Sequence, residues 1–164
     1  MSGDENMRRH LVNAIKSRAL FYYAFYKEFS AEIGPEKTRR IMERAVYKRG
    51  LEIGKQFAKF APADMEGLKD AFLAFVPDPE GTFNPVLESC SAAGIDFELT
   101  TCPLKDAWRE AGLTDEEIVI MTSIAGAVDT GTFEGAGFAF KPDTWRPGRQ
   151  GCCRLHIRPS EKGK

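Results

Sequence analysis

Residues 95–100 read Ile-Asp-Phe-Glu-Leu-Thr, a run in which apolar and polar side chains alternate. Alternation with a period of two places the apolar side chains on one face of a β-strand. Residues 86–91 precede this run, and Ala-Ala-Gly at residues 92–94 connects the two into a predicted antiparallel hairpin. Because Pro-Asp-Pro at residues 77–79 stops a helix, we predict that the chain changes from helices to strands near Pro79.

Three helices are predicted before this change. Apolar residues recur at helical spacing from residue 11 to residue 33, from residue 42 to residue 60, and from about residue 64 to residue 75. In the second of these helices Gly50 and Gly54 lie one turn apart. We expect these two glycines to allow close packing against the backbone of another element.

The first helix carries an excess of aromatic residues. Phe21, Phe25 and Phe29, together with three tyrosines, cover more than one of its faces. Such side chains can belong to the core, but their number exceeds what one small core readily hides. We therefore expect the protein to form a homodimer.

A short helix is predicted directly after the hairpin. Pro103 suits the first position of a helix, and Gly112 ends the segment. Cys102 would then lie at the end of a strand and beside a helix N-terminus. Oriented backbone N–H groups at that position lower the pKa of a thiol, which makes Cys102 the best single candidate for a reactive cysteine.

A fifth helix is predicted to begin at a capping box. Thr114 and Glu117 have the spacing at which each side chain bonds the backbone N–H of the other residue. The helix is expected to run through Val128, which leaves Asp129 at its C-terminal end. An acidic residue there meets the negative end of the helix dipole, and this unfavourable position suggests a functional role.

A second hairpin is predicted from residues 137–141 and 151–158. The fold class is therefore α+β, with N-terminal helices packed on an antiparallel sheet of two hairpins and a helix between them. We expect one domain over residues 1–164, helical at about 7–76, built on the sheet at about 84–158, and frayed at 160–164.

The composition excludes several classes of protein. Lys and Arg total 23 against 24 Asp and Glu, a net charge of -1, so no charge excess indicates a nucleic-acid partner. No apolar run approaches the roughly 20 residues of a membrane span. The N-terminus is polar and acidic and shows no secretory signal. We therefore expect a cytoplasmic protein with reduced cysteines that binds neither nucleic acid nor a membrane.

Successive side chains of the last predicted strand point to opposite faces of the sheet. Cys153 is expected to share the apolar face with Leu155, whereas Cys152 is expected on the polar face with Arg154 and His156. The sequence leaves two alternatives for the polar face, a Cys/His catalytic pair and a zinc site. However, the sequence contains no closely spaced ligand pair that would anchor a metal.

Several of these residues also carry a family resemblance. Cys102-Pro103-Leu104, Ala107-Trp108, Glu116-Glu117-Ile118, Asp129 and residues 151–155 together resemble the L-2-amino-thiazoline-4-carboxylic acid hydrolase family. The resemblance covers about residues 20–158. More distantly, the helical half followed by two hairpins resembles the vinyl-reductase-type ligand-binding domains. That likeness implies an α+β architecture, a small-molecule cavity and frequent dimerisation.

The family resemblance implies hydrolysis of a cyclic amidine to an N-carbamoyl cysteine. Cys102, Asp129 and Cys153 match recurring polar positions of the family. The implied roles are a nucleophile or polarising group for Cys102, a base for Asp129 and a supporting group for Cys153. Another small cyclic or thiol-containing acid remains open as the substrate.

The substrate also needs binding groups, and a cation should hold its carboxylate. Arg154 is the candidate for that cation, and Trp108 and His156 are the other expected substrate-binding residues. The cofactor is unknown. A metal bound by Cys102 and Cys153 remains open, as does a second function in which the cavity senses a small molecule or redox state without turnover.

Overall fold

A computed structural model of the chain describes residues 3–160. The helices are α1 (Gly3–Ile33), α2 (Pro35–Gly54), α3 (Met65–Phe75), α4 (Pro103–Glu110) and α5 (Asp115–Gly135), with short 3-10 segments at Lys55–Phe60 and Pro79–Gly81. The strands are β1 (Pro85–Ser91), β2 (Gly94–Leu99), β3 (Ala139–Asp143) and β4 (Arg154–Arg158). Of the tail predicted to fray at residues 160–164, all but Ser160 lies outside the described residues.

The four strands form one antiparallel sheet in the order β1-β2-β4-β3. The two predicted hairpins are therefore present, and the central pair β2 and β4 joins them, with Phe97 opposite Leu155. The change from helices to strands falls between the end of α3 and Pro85, as the sequence predicts. The α+β fold is confirmed.

Aromatic side chains connect the helices to one face of the sheet. The ring of Phe72 on α3 lies 5.4 Å from the ring of Phe97 on β2 and 5.3 Å from that of Phe133 on α5. Phe133 in turn stacks on Phe140 of β3 at 5.2 Å. Because rings at these separations attract each other beyond their burial, this chain of contacts holds α3 and α5 on the sheet.

Helices α2 and α5 pack backbone to backbone. A Cβ atom on Gly50 would lie 2.8 Å from the Cα atom of Gly131 and would overlap the carbonyl oxygen of Val128. A Cβ atom on Gly54 would overlap the carbonyl oxygen of Thr132. The expectation that the two α2 glycines allow close backbone packing is confirmed, and α5 is the element that they contact.

Two element boundaries differ from the predictions. Helix α5 continues to Gly135, because its glycine-containing last turns lie against α2 and this packing outweighs the weak helix propensity of glycine. Strand β4 begins only at Arg154, because Gly151 adopts a positive φ of 73° that a strand does not contain. In the part of the chain that the structure describes, no helix is both long and apolar enough to span a membrane.

The contact between α2 and α5 predicts the effect of adding one methyl group. In Gly131→Ala the new Cβ would meet the backbone of Tyr47 and would lie 3.0 Å from the Cα of Gly50, and neither backbone can move freely. We expect Gly131→Ala to lower the free energy of unfolding by about 2 kcal/mol. Gly3→Ala is the control because no atom lies within 4 Å of its new Cβ. Urea unfolding that finds both variants equally stable would contradict this packing.

Candidate active site

A cavity of about 580 Å³ lies among α1, α2, α3, α5 and the N-terminus of α4. The end of β2 and the segment before β4 close it on the side of the sheet. Most of its wall is apolar. The polar and charged side chains that line it are those of Arg18, Tyr22, Arg49, Cys102, Thr122, Asp129, Thr132, Cys152 and Cys153.

Cys102 caps the N-terminus of α4. Its backbone is extended, with φ -155° and ψ 101°, and its Sγ accepts the backbone N–H of Lys105 at 3.5 Å. The Cys152 thiol lowers the pKa of Cys102 by donating a hydrogen bond to it, and the backbone N–H groups of Leu104 and Lys105 lower that pKa further. These bonds outweigh the burial of Cys102, which acts in the opposite direction. Cys102 therefore ionises more readily than an ordinary thiol and more readily than Cys152.

Cys152 holds its proton. Its pKa lies far above the ordinary range because its thiol bonds Cys102 and Cys153 and because it is buried. The Sγ atoms of Cys152 and Cys153 are 3.3 Å apart. An ionised Cys102 would raise the cost of a second thiolate beside it, so the cluster carries at most one negative charge.

Cys152 and Cys153 lie before the strand rather than in it, and this corrects the predicted face of Cys152. Cys152 is buried and lines the cavity, although strand parity placed it on the polar face. The Cys152 N–H donates to the Leu99 carbonyl at 2.9 Å, and the Leu99 N–H donates to the Cys153 carbonyl at 2.8 Å. The Lys105 ammonium donates to the Gly151 carbonyl. These bonds fix an irregular segment in which both thiols line the cavity and the Cys152 thiol bonds Cys102.

Asp129 lies inside α5 rather than at its end. The predicted conflict with the helix dipole therefore does not arise, since the helix continues to Gly135. Within residues 3–160 no side chain hydrogen-bonds or ion-pairs with this carboxyl group. Its removal from water raises the pKa of Asp129 to about 7. Both protonation states are therefore populated near neutral pH, which suits a group that gives and takes protons.

The predicted substrate-binding residues separate into two sets. Trp108 lines the cavity, and its Nε1–H donates to the Ala19 carbonyl at 2.8 Å. Arg154 and His156 do not line the cavity, because they project from the outer face of the sheet. His156 Nδ1 lies 2.7 Å from the carboxylate of Asp96.

Arg154 is occupied by acidic neighbours on that outer face. Its guanidinium lies 3.9 Å from the carboxylate of Glu88 and 3.7 Å from that of Glu98. The alternation of side chains along the strand therefore predicted the correct face for Arg154 and His156. The cavity lies on the opposite side of the sheet, so Arg154 and His156 do not line it. The expectation that these two residues contact a substrate in the cavity is therefore wrong.

Two cationic residues of the cavity were missed. Arg18 on α1 and Arg49 on α2 are exposed side chains that line it. No acidic group in the described part of the chain lies within 4.0 Å of either guanidinium. Their spacing could have identified them. Arg18 lies one turn before Tyr22, and Arg49 lies one turn before Ile53, so each arginine shares a helix face with residues that are otherwise apolar.

A metal site at Cys102 and Cys153 stayed open from the sequence. Across residues 3–160 no group of three or more His, Cys, Asp or Glu side chains is arranged to hold a metal ion.

Most of the chain matches the model of a known protein family. The family model described as L-2-amino-thiazoline-4-carboxylic acid hydrolase matches residues 13–157 of the chain. The chain belongs to this family. Its resemblance to these hydrolases is thereby confirmed, and Cys102, Asp129 and Cys153 all lie within the match. No curated protein is similar enough to the chain to be identified as a relative.

The contrast between Cys102 and Cys90 predicts which thiol of this hydrolase-family chain reacts first. Burial and the neighbouring Glu66 raise the pKa of Cys90, whereas hydrogen bonds lower that of Cys102. We expect iodoacetamide at pH 7 to label Cys102 faster than Cys90, because the thiolate is the reactive form. Peptide mass spectrometry over time measures both rates. Faster labelling of Cys90 would show that Cys102 is not ionised preferentially.

Proposed function

We propose that this chain hydrolyses a small cyclic amidine, such as 2-amino-thiazoline-4-carboxylate, to an N-carbamoyl cysteine. The observation that carries the proposal is the pairing of two groups in one cavity. Cys102 has a lowered thiol pKa, and Asp129 has a carboxyl pKa of about 7. A nucleophile and a proton-transfer group are what the reaction requires, and family membership supports the same reaction class.

In the first step, the Cys102 thiolate attacks the ring carbon that lies between sulfur and nitrogen. The bond from this carbon to the ring sulfur breaks, and the protonated Asp129 gives its proton to the departing sulfur. The product is an isothiourea joined to Cys102, with the free thiol of the opened ring and an ionised Asp129. The Cys152 thiol and the N–H of Lys105 stabilise the thiolate before the attack.

In the second step, water adds to the isothiourea carbon. The Asp129 carboxylate takes a proton from the water and passes it to the nitrogen of the former ring. The tetrahedral adduct then collapses to a urea carbonyl and expels Cys102 as a thiolate, while the hydroxyl proton returns to Asp129. The net change is addition of one water molecule, and both side chains regain their starting states.

The remaining cavity residues have binding and supporting roles in this proposal. Arg18 and Arg49 replace Arg154 as the cations that attract an acidic substrate to the cavity, because they line the cavity and Arg154 does not. Trp108 supplies an apolar wall, and Cys153 keeps Cys152 in place through their 3.3 Å contact.

The mechanism predicts which substitutions abolish activity and which one does not. We expect Cys102→Ser and Asp129→Asn each to abolish thiol release from 2-amino-thiazoline-4-carboxylate without unfolding the protein. Cys90→Ser is the control, since Cys90 does not line the cavity, and it should retain activity.

For the active protein, we expect the rate to fall as pH rises through about 7, because Asp129 then loses the proton needed in the first step.

A thiol assay with a coloured disulfide reagent measures these rates, and circular dichroism checks the fold. No thiol release by the unmodified protein, while a known enzyme of the family reacts in parallel, would refute the hydrolase proposal. Loss of the activity on addition of a chelator would change the role of Cys102 from nucleophile to metal ligand.

A second candidate function is a sensor that binds a small molecule or responds to redox state without turnover. The contact between the Cys152 and Cys153 sulfurs and the hydrogen bond between Cys152 and Cys102 favour it, because adjacent thiols can be oxidised together. Binding of the thiazoline without its consumption would support this candidate instead of the hydrolase.

We also propose that the protein acts as a homodimer through an exposed aromatic stripe on α1. The side chains of Phe21, Phe25 and Phe29 are 60%, 48% and 46% exposed. Their rings follow one another at 6.2 and 6.0 Å, so they form a continuous apolar surface. Contiguous apolar surface of this kind is typical of contacts between proteins.

The stripe predicts how one charge would change the assembly. We expect Phe25→Glu to convert a dimer into a monomer, because a carboxylate would be buried at the centre of the contact. Lys27→Glu is the control, because position 27 lies on the opposite side of α1. Sedimentation velocity at micromolar concentration measures both variants. An unmodified protein that sediments as a monomer would rule out the homodimer.

A further inference from the structure

The cavity is much larger than the small thiazoline acid requires. An engineered protein cavity of about 150 Å³ accommodates benzene, and the thiazoline is a five-membered ring with two small substituents. It would therefore fill roughly a third of the 580 Å³ available here. Cavities of about 300–1,000 Å³ are typical of ligands that are considerably larger.

The surface of the unfilled space is apolar. Leu11, Ile15, Val46, Ile53, Phe72 and Phe75 line it from three different helices. Water confined against such side chains is unfavourable, and an apolar ligand that displaces it gains affinity in proportion to the area covered. The wall thus favours a ligand with an apolar body rather than a ligand that is polar throughout.

The polar groups of the cavity lie at different depths. Cys102 and Cys152 are 6% and 2% exposed, and they form its floor together with the N-terminus of α4. Arg18 and Arg49 are exposed side chains on α1 and α2, and they lie at its mouth. Neither has an acidic partner within residues 3–160. A ligand that contacts both levels needs an anionic group separated from its reacting group by an apolar segment.

We propose that this cavity takes an amphipathic acid, whose carboxylate binds Arg18 and Arg49 and whose apolar body fills the space above the thiols. For catalysis this inference rests on the hydrolase proposal, and the substrate class becomes a cyclic amidine acid with an apolar substituent. The binding of the acid itself does not require turnover.

Straight-chain carboxylates test the apolar requirement. Acetate, butanoate and octanoate would be titrated into the purified protein by isothermal calorimetry. Each buried methylene should improve affinity about fourfold, so octanoate, with four more methylenes, should bind roughly 250-fold more tightly than butanoate. Octanoate that binds no more tightly than acetate would overturn the proposal.

The arginines are tested with a matched pair of variants. Arg49→Gln should weaken octanoate binding about tenfold and leave the binding of octan-1-ol unchanged, because the alcohol lacks the carboxylate. Arg44 lies on the same helix but outside the cavity, so the Arg44→Gln variant should bind octanoate as tightly as the unmodified protein does. Equal losses for octanoate and octan-1-ol, or equal losses in the two variants, would contradict the assigned carboxylate site.

These measurements separate the two proposals. Tight octanoate binding without thiazoline hydrolysis would support the ligand class and refute the proposed hydrolysis of the small thiazoline. Thiazoline hydrolysis that octanoate does not inhibit, with no binding detected by calorimetry, would support the hydrolase and overturn the larger ligand.

Discussion

The cavity depends on the direct contact between the backbones of α2 and α5. At Gly50 and Gly131 the two helices approach so closely that neither position has space for a Cβ atom. Arg49 directly precedes one of these glycines, and Asp129 lies two residues before the other, so the contact fixes where both helices face the cavity. Small residues at a helix crossing thereby set the relative position of a cation and an acid that are 80 residues apart in the sequence. The fold thus creates the site beside a tightly packed helix crossing.

Burial acts on Cys102 and Asp129 in the same direction but with opposite outcomes. Removal from water disfavours both the thiolate and the carboxylate. At Cys102, one thiol and two backbone N–H groups offset that cost, whereas no group in residues 3–160 does so at Asp129. One cavity consequently favours a thiolate at one position and retains a proton at another near neutral pH. The difference arises first from the Cys152 thiol and then from the helix N-terminus beside Cys102, since Asp129 has no such thiol among the described residues and is located within a helix whose N–H groups are already bonded.

Local patterns in the sequence predicted the local structure well. The alternation of residues 95–100, the Thr114 capping box and the position of Cys102 before Pro103 each depend on neighbours within a few residues. The errors arose where distant contacts decide the conformation. Helix α5 passes Asp129 because it packs on α2, and Cys152 turns inward because its segment is bonded to Leu99 and Lys105. No pattern within the last strand contains that information.

The sheet explains why Arg154, the cation predicted from the sequence, does not line the cavity. Strand parity correctly gave Arg154 and His156 a common face, and a cluster of arginines with a histidine there is typical of an anion site. However, Asp96 binds both His156 and Arg158 on that face, and the pKa of Asp96 falls to about 2 because these groups hold its negative charge. The positive charge is thus neutralised within the sheet. Arg18 and Arg49 lack such partners in the described chain, so the charge available to an anion lies on the helices, at the mouth of the cavity.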